Sequence, residues 1–185
     1  MNDLLQTIMG AQGGGAVQNL AKSFGLDESQ AGSAIQALLP ALAGGIKRNA
    51  AQPGGLESLL GALNGGNHAR YLDQPDTLGS ASTIQDGIGI LSHVLGSKDV
   101  SRAAASRASQ QTGIGADLLK KMLPVVATMA MGALSKQTAS NSAFSSARAG
   151  AAPSGDLLGA LGPLLDADGD GSAVDDIFNI AKKFF

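Results

Sequence analysis

The sequence has no cysteine and no tryptophan, and one tyrosine with five phenylalanines brings aromatics to only 3% of its 185 residues. Without thiols there are no disulfides, no thiolate metal ligands and no cysteine nucleophile. Scarce aromatics leave the core to Leu, Ile, Val, Met and Ala. They also remove the stacking platforms on which single-stranded nucleic acids bind. Formal net charge is only −2, so no field favours a nucleic-acid partner. The cations Lys98, Arg102 and Arg107, with Lys120 and Lys121, read as a solvated face.

Catalytic signals are equally thin. The two histidines are His68 and His93; neither has the i, i+4 partner of a helical zinc site, and triad chemistry needs a base placed beside a nucleophile. His93 sits among Leu91, Val94 and Leu95 and reads as an ordinary helix histidine. In "HARYLD", His68, Arg70, Tyr71 and Asp73 either line a polar pocket or belong to a loop anchored by Tyr71 and Leu72. "GAQGGGAV" (10–17) has the glycine separation of a phosphate loop, but Ala16 and Val17 stand where lysine and a hydroxyl residue are needed, and no strand precedes it. "GIGADL" (113–118) lacks the third glycine of a dinucleotide fingerprint. No small-molecule substrate is identified, and the chain reads as non-enzymatic.

Long apolar runs are missing too. Met122–Ser135 and Ala34–Ile46 fall short of the roughly 20 residues of a membrane span, and each contains a proline. Asp3 without a basic segment argues against a signal peptide. Membrane contact is not expected, and the expected location is cytoplasmic.

What is present is helix. Asp27 and Gln30 form a capping-box pair before Ala34, Ile35, Leu38, Leu39 and Leu42. Further helices are predicted over 2–9, 15–24, 56–63, 84–95, 98–110, 116–136, 156–165 and 174–184. Pro40 and Pro124 predict kinks or breaks, because proline removes a helix hydrogen bond and clashes one turn back. The segment 31–49 echoes 115–137: Pro40 falls on Pro124, Ile35 on Leu119, Leu38 on Met122 and Leu39 on Leu123. The fold class is therefore all-α, a multihelical array with a weak internal helix duplication and a C-terminal helix–loop–helix.

Three regions follow: a helical body over 1–137, a Ser/Ala/Gly-rich linker over 138–154 that reads as mobile, and a helix–loop–helix over 155–185. In the last, Asp166, Asp168 and Asp170 with Gly171 occupy the first, third, fifth and sixth positions of an EF-hand-type loop, and the Ser172 carbonyl the seventh. Ile177 stands where the bidentate glutamate belongs, so Asp175 or Asp176 must close the shell. The expected ion is calcium, bound weakly; the alternative is that Ser172 caps the last helix, Asp175 completes that cap, and the remaining acids are solvated. Val174, Ile177, Phe178, Ala181, Phe184 and Phe185 then recur at helical spacing, opposite Asp175, Asp176, Lys182 and Lys183.

The segments 89–134, 25–49 and "LLDADGDGSAVDDIFNIA" together resemble the YidB-like family of uncharacterised bacterial proteins. That resemblance implies an all-helical array in a bacterial cytoplasmic protein and carries no activity. The function expected is structural or interactive: association with itself or with a helical protein partner through the small-residue faces of "ALLPALAGGI" and "VVATMAMGAL". The alternatives are a calcium-responsive module that positions the last helix, and a peripheral membrane-associated protein.

Overall fold

The computed structural model describes residues 2–140, and among them every regular element is helical. The all-α, multihelical class is as expected. The helix–loop–helix of 155–185 lies outside the described residues.

Local chemistry sets the helix ends. Helix α1 (Asn2–Gly10) and α2 (Gly15–Phe24) are joined by the 3-10 turn Ala11–Gly14, where Gln12, Gly13 and Gly14 take positive φ. The glycine run is thus a left-handed turn between two helices. Helix α3 (Glu28–Ala50) starts at the predicted capping box: the Gln30 amide donates to the Asp27 carboxylate at 2.7 Å and the Asp27 amide to Gln30 Oε1 at 3.2 Å. Next come α4 (Gly55–Gly65), the short α5 (Arg70–Asp73) and α6 (Ala81–Val94). Helix α6 begins earlier than its apolar periodicity suggests, because the Ser80 hydroxyl accepts from the Thr83 amide and caps a polar first turn. Helices α7 (Lys98–Thr112) and α8 (Ala116–Ser140) complete the body. Helix α8 runs past the boundary expected at residue 137.

The middle of α8 organises the rest. Every residue from Met122 to Leu134 is buried, and α8 packs against each of α1 to α7, most extensively against α6 and α7. A helix apolar on all sides must be enclosed on all sides. By length and composition Ala116–Ala139 is also long and apolar enough to cross a membrane, longer than the sequence run suggests, and 78% of its most apolar window is buried within the body. Of the two small-residue segments expected to mediate association, that of α8 is buried throughout, while that of α3 leaves Pro40 exposed. Leu38, Leu39, Leu42, Gly45 and Ile46 of α3 are buried, Gly45 against Val94 of α6.

The sequence echo has a counterpart in the turns that precede α3 and α8. Helix α2 ends at Gly25 (φ 67°) and α7 at Gly113 (φ 73°), both left-handed, and each glycine amide bonds back into its own helix. A two-residue step then leads into α3 or α8. Ile35, Leu38 and Leu39 are buried, as are their counterparts Leu119, Met122 and Leu123. The four-residue difference between turn and proline is about one helical turn, so the inward face is preserved.

Neither proline breaks its helix: α3 continues through Pro40 and α8 through Pro124. The carbonyls deprived of a donor belong to Gln36 and Lys120, both exposed residues, so water can supply the missing bond.

Helices approach α8 closely where side chains vanish. A Cβ built on Gly87 would lie 2.2 Å from the Pro124 carbonyl oxygen, whereas one on Gly89, in the same helix, meets nothing within 4 Å. Gly87→Ala is therefore expected to destabilise the protein by about 1–3 kcal/mol through overpacking. Gly89→Ala is expected to stabilise it by about 0.5–1 kcal/mol through helix propensity. Thermal melts of the two variants should move in opposite directions; a common direction would contradict the close approach of α6 to α8.

Candidate functional site

Helices α3, α4, α6 and α8 leave an open cleft of about 360 Å³ between them. Ile46, Leu59, Ala62, Ile90, Val94 and Met131 supply apolar walls, and Asn49, Ser58, His68, Gly89 and His93 the remainder. Both histidines of the chain thus line one cleft, although 25 residues apart in sequence they gave no spacing signal. The readable hint was a stripe on α6: Asp86, Gly89, Ile90 and His93 follow i, i+3, i+4, i+7 and share a face. Which helix would oppose that stripe could not be read.

Each polar group of the lining has a local tie. His93 Nδ1 lies 2.9 Å from the Gly89 carbonyl, an ordinary back-bond within the helix. The Asn49 amide donates to the His93 carbonyl at 2.8 Å and clips α3 to the end of α6. Ser58 Oγ donates to the Gly54 carbonyl and Ser92 Oγ to that of Gly89. Both hydroxyls donate to helix carbonyls; Ser92 Oγ also lies 3.3 Å from His93 Nδ1, a nitrogen that donates to the Gly89 carbonyl.

His68 differs. Its ring lies over Gly66, where an added Cβ would overlap the imidazole at 2.1 Å. Glycine there is what admits the ring. Nδ1 is buried and has no hydrogen-bond partner. Burial pushes the imidazole pKa below its usual 6.5, with Arg70 acting in the same sense; a hydrogen bond to the Ala62 carbonyl and the charge of Asp86 oppose it.

The rest of "HARYLD" divides. Tyr71 and Leu72 are buried and anchor the segment, as the second of the two sequence readings held. Tyr71 Oη donates to Asp86 Oδ2 at 2.8 Å, and Arg70 Nη2 reaches the same oxygen at 2.8 Å while lying over the Tyr71 ring. Burial, then the bond to Asp86, raises the phenol pKa against the lowering effect of Arg70. Asp73 points elsewhere and pairs with Lys136 of α8. The Arg70–Tyr71–Asp86 group sits one helical turn before the cleft along α6, and Tyr71 lies 5.9 Å from the His68 ring. Asp86 is the member sequence reading missed.

Among the described residues, no three His, Asp or Glu side chains are grouped to hold a metal ion. The calcium-loop residues Asp166, Asp168, Asp170, Ser172, Asp175 and Asp176 lie outside the described residues. Lys98, Arg102, Arg107, Lys120 and Lys121 are exposed, with Arg102 paired to Asp99 at 2.7 Å.

A depressed histidine pKa has a defined consequence. Below 6.5 the unfolded chain binds a proton at His68 more readily than the folded chain, so this contribution to stability is present above that value and lost as pH falls. Melting temperature should decline from about pH 7 to pH 5.5, before most carboxylates titrate. His68→Gln should flatten that slope in calorimetric scans; an unchanged slope would assign the titration elsewhere.

Residues 6–137 match a family model described as "Bacterial protein of unknown function (DUF937)". The chain belongs to that family. No curated protein and no solved structure matches it.

Proposed function

We propose that this member of the DUF937 family is a non-enzymatic interaction protein whose working surface is the α3–α4–α6–α8 cleft, and that the cleft receives apolar side chains from an amphipathic helix. The observation that carries this reading is the contrast between the cleft and the rest of the body. The small-residue segment of α8 is enclosed by the chain's own helices, while the cleft keeps an apolar wall open to solvent. Its volume is near the bottom of the roughly 300–1,000 Å³ range of small-molecule sites. That is room for a few anchor side chains, the way a helix is held in a groove. The hydroxyls beside the histidines both donate to helix carbonyls, Ser92 at 2.7 Å and so more closely than its 3.3 Å approach to His93 Nδ1, which favours binding over chemistry. The occupant is a helix of this protein or of a helical partner, in keeping with a cytoplasmic location.

Gly89→Trp tests the site, since Gly89 lines the cleft and a side chain there meets open space. The probe is a fluorescent amphipathic peptide with Leu and Phe at i, i+3, i+4, i+7. Saturable anisotropy change with the full chain, lost in Gly89→Trp at unchanged helicity, is the expected result. Equal binding by the two chains places the interaction on another surface.

A second reading, calcium control of the last predicted helix, rests on the Asp166–Asp168–Asp170–Gly171 spacing. With the closing glutamate replaced by Ile177, affinity should be weak, on the order of 10⁻⁴–10⁻³ M. Calorimetric titration of the full chain should show heat with calcium, and Asp166→Ala/Asp170→Ala should show none. No heat from wild type at several millimolar calcium would reduce the loop to a helix cap.

A further inference from the structure

We infer that the cleft is the docking site of the chain's own segment Val174–Phe185, so that the interaction surface is occupied in cis. The inference rests on the cleft being a helix-binding surface, and it adds the identity of the occupant.

Three observations support it. The first is position. Met131 of α8 lines the cleft, and α8 ends at Ser140, so the chain leaves the described body about 14 Å beyond Met131 at 1.5 Å per helical residue. Residues 141–173 separate that end from Val174, and even a fully helical run of that length spans about 50 Å at 1.5 Å per residue. The intervening length is therefore enough to bring the segment to the cleft.

The second is composition. Three of the five phenylalanines in the chain, Phe178, Phe184 and Phe185, fall in this segment. With Val174, Ile177 and Ala181 they form a stripe at helical spacing, which a single helix cannot bury alone. Apart from Asn49, Ser58 and the imidazoles, the cleft is walled by aliphatic side chains and Met131. Aromatic anchors in aliphatic pockets are the usual currency of helix-in-groove recognition.

The third is charge. Asp175, Asp176, Lys182 and Lys183 stand opposite the apolar stripe, and so remain in water when it is inserted. No carboxylate or cation need enter the aliphatic part of the cleft, which avoids the desolvation cost of a buried charge.

A tether of this kind holds its end at an effective concentration on the order of 1 mM, and a peptide added in solution must compete with it. The experiment uses fluorescein-labelled Val174–Phe185 peptide against three full-length chains: wild type, Ile177→Ser/Phe178→Ser, and the latter combined with Gly89→Trp. For an intrinsic Kd of about 100 µM, the peptide should bind the double-serine chain roughly 10-fold more tightly than wild type, and the Gly89→Trp chain not measurably. Equal affinity for wild type and the double-serine chain overturns cis occupancy while leaving the cleft a helix-binding site. Absence of binding to both overturns the cleft as a helix-binding site as well. A second readout needs no change in the segment: trypsin should cut at Lys182 and Lys183 at least several-fold faster in Gly89→Trp than in wild type, and equal rates count against docking.

Discussion

The enclosure of α8 is the constraint on which the rest of the molecule depends. From Met122 to Leu134 this helix presents no polar face, so stability requires neighbours around its whole circumference. Seven helices supply them, and the contact is close because glycine stands where backbones meet. Gly87 lies against the Pro124 carbonyl, and Gly132 allows the His68 carbonyl, at the turn into α5, to approach α8. A Cβ at either position would fall under 3 Å from backbone oxygen. Small residues in this sequence thus serve close internal contacts, at Gly87 and Gly132 against backbone oxygens.

Much of this architecture was legible because it rests on local signals. The Asp27–Gln30 capping box and the apolar spacing of α3 and α8 each act within a few residues, and the structure follows them closely. The correspondence of Pro40 with Pro124 was legible for the same reason. Its consequence was not: both helices run through their prolines, since the cost of a missing bond depends on whether water reaches the orphaned carbonyl. That is a property of exposure, which spacing does not encode.

The candidate site was scarcely legible. His68 and His93 meet only because α6 and the α4–α5 connection are brought together over the same stretch of α8. Asp86 gave no sign of its role, since its partners Arg70 and Tyr71 lie on another element. Tyr71 and Leu72 were recognisable as anchors from their size and apolar character, but the group they position is long-range. Where a site is assembled by packing against a common central helix, sequence supplies the components and withholds their juxtaposition.

The cleft itself follows from an incomplete sheath. Helix α4 packs chiefly on α3 and α8, whereas α6 is tied along its length to α8 and clipped to α3 through Asn49. Glycines bracket α4 at Gly54, Gly55 and Gly66, and Gly55 and Gly66 are crowded by the Asn49 carbonyl and the His68 ring. The helix is thus fixed at its ends, and the space between its inner face and α6 is left open above Met131. Met131 itself is only 3% exposed, so the floor is sealed while the walls remain accessible. A surface of this form gains apolar burial from any helix that enters it, without disturbing the packing that holds α8. Stability and the proposed recognition are therefore separable here: the first resides in the close glycine contacts with α8, and the cleft proposed for the second lies outside them.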